Sequence, residues 1–299
     1  MGICQGNCLS AVLFIYYLAK STLKNKRPFE PAFTIEPKYA DDITWATTSE
    51  NVIKTVKDSI PSKLRTRNLI INEDKTEEFM ITNKEQEWKD CKLLGSKLDT
   101  IKDLERRKCL TIDAMKELKS LFKNHRINEK LKIRTFEAYV SSIFLYNSEL
   151  WAVTKTIAKS IDGFHRRQLR YALNIQWPNK ISNDEVYKRT KAIPWSETIR
   201  KRRLSWLGHL MRLPKETPAQ IALTEALKPS QKYRGRPRAT WLEVIKKDLN
   251  ELNIVSFDIS ANNEKFIKCL YEFTENRMTW NKTVRSAISA IGGCETDDD

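Results

Sequence analysis

The chain has 299 residues, 40% of them hydrophobic, which is enough for a packed core across one or two domains. Its net charge is +15 with a pI near 9.5, so the expected partner is anionic. The longest apolar run, Leu9 to Ala19, is about half the ~20 residues that a membrane span needs, and no secretory leader is visible, so no membrane partner is expected.

Along the chain, Leu9 to Lys20 reads as a core helix, and Lys24 to Lys38 as a proline-punctuated connector ending in a first hairpin strand. Phe33 to Lys38 and Ile43 to Trp45 are β-type runs around Tyr39-Ala40-Asp41-Asp42, a pattern that sets two adjacent carboxylates at a hairpin turn. Acids so presented suit a hard cation such as Mg²⁺; a plain surface turn is the alternative. Ser49 to Arg67 reads as a helix despite Pro61. Leu69 to Asn72 and Glu78 to Ile81 alternate as strands, and Cys91 to Leu98 as a short hairpin.

Past residue 100 the periodicity becomes helical. Leu104, Leu110, Met115, Leu118 and Phe122 mark one helix; Leu131, Phe136, Tyr139, Ile143 and Phe144 a second; Ile157, Ile161, Phe164, Leu169 and Leu173 a third. Pro178, Pro194, Pro214, Pro218 and Pro229 then divide the chain into short helices. A loop from Lys228 to Pro237 leads to a helix marked by Trp241, Ile245, Leu249 and Leu252, and a last helix is expected over Lys265 to Ile288. Glu295 and Asp297 to Asp299 form an acidic tail, expected to be disordered.

The charge is sorted along the chain. Residues 1–100 carry 15 Lys and Arg against 14 Asp and Glu, whereas the rest carry 38 against 24. Phosphate contacts are therefore expected mainly after residue 100; Lys-rich solvated helix faces are the plainer alternative. Arg200, Lys201, Arg202 and Arg203 crowd the start of an amphipathic helix, against its dipole, and a phosphate would relieve them unless acids such as Glu197 do so. Arg234, Arg236 and Arg238 lie in an Arg-Gly-Arg-Pro-Arg segment fitted to a narrow A·T-rich minor groove, or simply to a basic loop. The six cysteines include no Cys-x-x-Cys pair and read as reduced thiols; the three histidines are scattered.

Four segments together carry a family resemblance. Gly2-Ile3-Cys4-Gln5-Gly6-Asn7-Cys8-Leu9-Ser10, Tyr39-Ala40-Asp41-Asp42, Asn72-Glu73-Asp74-Lys75-Thr76 and Leu94-Gly95-Ser96 resemble, in this order, the palm motifs of reverse transcriptases. Arg202 to His209, Arg234 to Pro237 and Asn276-Arg277-x-x-Trp280 resemble the non-LTR, long-interspersed branch, and the likeness covers nearly the whole chain. It implies an α+β fold: a partial polymerase palm over 1–100, an all-α thumb-like region over 101–175, a basic nucleic-acid-binding helical region over 176–292 and a tail over 293–299. It implies Asp41 and Asp42 as Mg²⁺ ligands with Lys75 as charge stabiliser or proton donor beside the pyrophosphate. Gln5, Gly6 and Tyr39 would position template and nucleotide, and Leu94 and Gly95 would support the primer. The implied partners are an RNA template, a DNA primer and deoxynucleotides, in the nucleus or cytoplasm. The family's palm carries another metal-binding aspartate ahead of the Gln-Gly loop, where this chain starts. Its expected state alone is therefore an inactive fragment, with a non-catalytic nucleic-acid-binding remnant or an inert degraded copy as alternatives.

Overall fold

The computed structural model describes residues 34–35, 38–39, 42–81, 87–227, 239–254 and 263–292. The expected helix over Leu9–Lys20, most of the Lys24–Lys38 connector, the Lys228–Pro237 loop and the acidic tail lie outside them. The chain divides into two compact units, Met1–Gly95 and Ser96–Asp299. Helix predominates, with small two-stranded sheets, so the coarse class is α+β.

In the first unit, β1 (Thr34–Ile35) pairs antiparallel with β4 (Ala46–Thr47), and β2 (Lys38–Tyr39) with β3 (Asp42–Ile43). Thr34 faces Thr47 and Tyr39 faces Asp42, so the two ladders share one register. Helix α1 (Glu50–Arg65) follows and continues through Pro61. Its Ile60 and Leu64 are buried, and Ile43, Trp45, Val56, Leu69 and Ile71 pack against them in a small core. The strands expected at Leu69–Asn72 and Glu78–Ile81 do not form. Leu69 and Ile71 do turn inward while Ile70 is 85% exposed, but a strand also needs a neighbour for its backbone N–H and C=O groups. Asn72 instead accepts the Lys75 amide with its side chain and opens a 3₁₀ turn, Glu73–Lys75. The hairpin expected over Cys91–Leu98 is represented by β5 (Lys92–Leu93), which closes this unit, and β6 (Ser96–Lys97), which opens the next.

The second unit is helical. Asp99 caps α2 (Thr100–Glu117) by accepting the amides of Ile101 and Lys102, and the helix expected to run on to Phe122 breaks at Leu118 before α3 (Lys119–Lys123). Asn128 caps α4 (Glu129–Thr135), which passes through a π-helical stretch, Phe136–Ser141, into α5 (Ser142–Phe144). Phe136, Val140 and Phe144 are fully buried, whereas Leu131 and Tyr139, expected in that stripe, are 49% and 43% exposed. Thr154 caps α6 (Lys155–Ala172) and Ser182 caps α7 (Asn183–Thr190).

Pro194 then precedes α8 (Trp195–Met211), whose 17 residues exceed the short helices that the prolines suggested. Proline marks a helix start here, where its missing N–H would be unpaired anyway. Pro218 likewise opens α9 (Pro218–Leu227). Thr240 and Glu243 form a reciprocal capping box on α10 (Trp241–Glu251). The last expected helix is two, α11 (Asn263–Thr274) and α12 (Arg277–Gly292); the Asn276 side chain accepts the Met278 and Thr279 amides and so starts the second. No helix of the described residues is long and apolar enough to cross a membrane.

Helix α8 joins two hydrophobic cores. Trp195 and Ile199 lie in one, with Phe136, Phe144, Ile161, Phe164 and Leu173. Leu204, Leu207, Leu210 and Met211 lie in the other, with Ile245, Leu249, Leu270 and Trp280. Leu173 and Val186, on either side of the expected 175/176 boundary, share the first core. The change of core falls instead inside α8. The Trp195 ring is held between Phe144, 4.1 Å away, and His165, 4.2 Å away, both nearly parallel to it. At the other end, Trp280 donates from Nε1 to the Leu204 carbonyl at 3.0 Å and lies directly on Gly208. A Cβ at Gly208 would overlap the indole, whereas one at Gly163, inside α6, meets nothing within 4 Å.

Gly208→Ala is therefore expected to destabilise the protein by about 1–3 kcal/mol through overpacking. Gly163→Ala is expected to stabilise it by roughly 0.5–1 kcal/mol, by reducing backbone freedom within a helix. Urea unfolding of the two variants beside the parent protein checks the opposite signs. Burial, aided by the charge of Arg166, pushes the His165 pKa down from 6.5 to about 3, so the folded protein keeps this imidazole neutral while the unfolded chain protonates it. Stability from this site is thus complete above pH 6.5 and is lost as pH falls toward 3, by about 1.4 kcal/mol for every pH unit of that window. Denaturant titrations across the window should show a shallower acid slope in His165→Phe.

Candidate nucleic-acid interface

Of the residues expected in a palm site, Gln5, Gly6 and Asp41 lie outside the described residues. Asp42 stands on β3 opposite Tyr39, and both are exposed. Its carboxylate is of the kind that binds a hard cation, and Mg²⁺ sites commonly take one or two carboxylates and fill the remaining positions with water or phosphate. Among the described residues, no three His, Cys, Asp or Glu side chains gather to complete such a site. Lys75 is exposed at the end of its 3₁₀ turn, where Asn72 accepts its amide and the Thr76 hydroxyl donates to the Asn72 carbonyl. The Asn-x-x-Lys-Thr spacing therefore has a local structural role, presenting the Lys75 ammonium to solvent. Leu94 and Gly95 have φ of 48° and 78°, the pair of positive values that a type I′ turn requires. Glycine adopts this freely; for Leu94 it costs about 1–2 kcal/mol.

The basic run on α8 is separated by the fold. The helix begins at Trp195, so Arg200 to Arg203 lie beyond its first turn and the dipole penalty expected for them is largely lost. Arg200 meets Glu197 at 3.3 Å, Asp248 at 3.1 Å and Glu251 at 3.1 Å. Arg203 is 2% exposed; it donates to Asp248 at 2.6 Å and to the Trp151 carbonyl at 3.1 Å. Arg202 donates to the Leu145 carbonyl. Burial raises the carboxyl pKa of both Glu197 and Asp248, against the pull of these arginines. The fold thus divides the four cations expected to act together: Arg203 is buried, Arg200 is occupied by three carboxylates, and Arg202 is exposed with one hydrogen bond to the Leu145 carbonyl. Arg234, Arg236 and Arg238 lie outside the described residues.

Lys201 differs. It lines a cleft of about 480 Å³ between α8 and α12. Lys201, Ser205 and His209 follow one another at four-residue intervals along α8, with Arg212 at its C-terminal cap; Arg277, Asn281 and Arg285 recur at the same interval along α12. No carboxylate is among the lining residues, and no described acid pairs with Lys201, Arg277 or Arg285. Arg212 is held by a hydrogen bond to the Thr274 carbonyl at 2.9 Å. Burial first, and then the charge of Arg277, lower its pKa, so the cleft crowds like charges together. An anion placed there would relieve them.

The same packing that seats Trp280 on Gly208 sets the spacing of the cleft walls. The stretch Arg202 to His209 and the Asn276-Arg277-x-x-Trp280 motif, far apart in sequence, thus meet in one contact. The periodic spacing of Lys201, Ser205, His209 and Arg212 was present in the sequence, but hidden within the denser run Arg200 to Arg203. No family model matches the chain, and neither does any curated protein or solved structure.

Asp248→Ala is expected to destabilise the protein by about 3–5 kcal/mol, because it leaves the buried Arg203 guanidinium without its counter-charge. Lys201→Ala, which removes no described partner, should leave the melting temperature almost unchanged. Thermal unfolding followed by circular dichroism distinguishes the paired from the unpaired cation.

Proposed function

We propose that the chain is part of an RNA-directed DNA polymerase of the non-LTR retrotransposon type, and that its helical unit grips nucleic acid along the cleft between α8 and α12. The polymerase reading rests on the order of the four motifs, from Gln5-Gly6 through Asp41-Asp42 and Lys75 to Leu94-Gly95. In it, Asp41 and Asp42 ligate Mg²⁺, which supplies Lewis-acid stabilisation of phosphoryl charge when bound. Lys75 carries positive charge and a proton toward a leaving pyrophosphate. Gln5, Gly6 and Tyr39 shape the pocket for the RNA template and the incoming deoxynucleotide; Leu94 and Gly95 support the DNA primer.

One observation carries the nucleic-acid part: the sorting of charge around α8. Acids neutralise Arg200 and Arg203 on one side, while Lys201, Arg212, Arg277 and Arg285 line the cleft with no carboxylate among its described lining. This favours a phosphate-binding surface whether or not catalysis is retained, so a non-catalytic nucleic-acid-binding protein is the second reading.

Fluorescence anisotropy with labelled RNA across a salt series tests the proposal. Affinity should fall log-linearly with salt, since each neutralised phosphate releases counterions. Replacing Lys201 and Arg285 together by alanine should lower the slope by roughly 1–2. A flat salt response, or a double variant indistinguishable from the parent, would sink it.

A further inference from the structure

We infer that the cleft between α8 and α12 takes a single-stranded segment of nucleic acid, seating a phosphate among Lys201, Arg277 and Arg285 while a base stacks on the His209 ring. This deepens the proposed function and rests on it. Three features of the cleft point to a strand with free bases.

The first is shape. A recess of about 480 Å³ falls within the range of about 300–1,000 Å³ that encloses a small organic ligand, which is room for a nucleotide unit but not for a double helix. A duplex would touch the rim with its phosphates and leave the floor empty.

The second is the aromatic pair. His209 is exposed and lines the cleft, and its ring lies against Trp206, with centroids 5.2 Å apart and planes inclined by 33°. Trp206 packs on the second core, so the imidazole has a fixed backing instead of swinging freely in solvent. Bases in a duplex stack on one another and have no face to offer; an unpaired base does.

The third is the distribution of donors. Cations stand on both walls, Lys201 from α8 and Arg212 from its C-terminal cap, and Arg277 and Arg285 from α12, with neutral Ser205 and Asn281 also in the lining. Arg212 is already positioned by the Thr274 carbonyl. A phosphate bridging the walls leaves Ser205 and Asn281 to hydrogen-bond sugar or base edges. This arrangement tolerates many sequences, because every base has a π-face and every nucleotide a phosphate.

The test uses the full chain and two fluorescein-labelled probes, a short oligouridine and the duplex that it forms with its oligoadenosine complement. The single strand should bind more tightly than the duplex. His209→Ala should weaken the strand on the order of tenfold and leave the duplex unchanged. His209→Phe, which keeps a stacking face and removes any charge, should restore strand binding. Replacing Lys201 and Arg285 by alanine should weaken both probes. Equal affinity for the two probes, an unchanged strand affinity in His209→Ala, or no rescue in His209→Phe would each overturn this inference; salt-dependent binding of both probes would then leave the proposed function standing. Binding that is absent or salt-independent for both probes would end both. Circular dichroism melting of each variant shows that its fold is intact.

Discussion

The indole of Trp280 lies against the bare backbone of Gly208, with its N–H directed to the Leu204 carbonyl. Any side chain at position 208 would separate the two helices, and much of the second unit depends on their not being separated. The close approach buries Leu204, Leu207 and Val284 together, brings Arg212 to the Thr274 carbonyl, and leaves Lys201, His209, Arg277 and Arg285 facing one another across a narrow opening. The cleft is thus a consequence of core packing. Its cations are on the surface, but the distance between its walls is determined beneath them.

The charge on α8 is organised by face. Asp248 pairs with both Arg200 and Arg203, and Glu197 and Glu251 also meet Arg200. Such a partly buried group of ions is a weak source of net stability, since removing the charges from water costs nearly as much as their attraction returns. Its effect is on arrangement: it ties α10 to the middle of α8 and keeps acidic groups occupied there. The cations of the cleft then stand with no described carboxylate among the residues that line it.

Parts of this architecture were legible in the sequence for definable reasons. Helices α6 and α10 were read where they occur because their apolar residues recur at helical spacing, and in the structure a cap precedes each, Thr154 for α6 and Thr240 with Glu243 for α10. The strands read at Leu69–Asn72 and Glu78–Ile81 failed because alternation specifies two faces but not a neighbouring strand. The stripe through Leu131 and Tyr139 failed because apolar side chains occupy more than one face of this segment, and the face that is buried, Ile133, Phe136, Val140 and Phe144, has the same three- and four-residue spacing. The break at Asn276 was hidden inside an otherwise continuous apolar pattern, although Asn is a strong cap. The run Arg200 to Arg203 is divided for the simplest reason. At 3.6 residues per turn, four consecutive residues on an α-helix point in four directions, so a dense stretch of charge in sequence is not a patch in space. The sheets among the described residues are short two-stranded ladders, too local for sequence order to say which distant strands would join them.

Because α8 belongs to both hydrophobic cores, neither core can open fully without unwinding part of a helix that the other needs. Local unfolding of the helical unit is then coupled from end to end, and the aromatic stack around Trp195 shares a cooperative unit with the contact at Gly208. A ligand bound only by the folded cleft draws on that coupling: by mass action it slows hydrogen exchange in the Phe136, Phe144 and His165 layer, which it never touches.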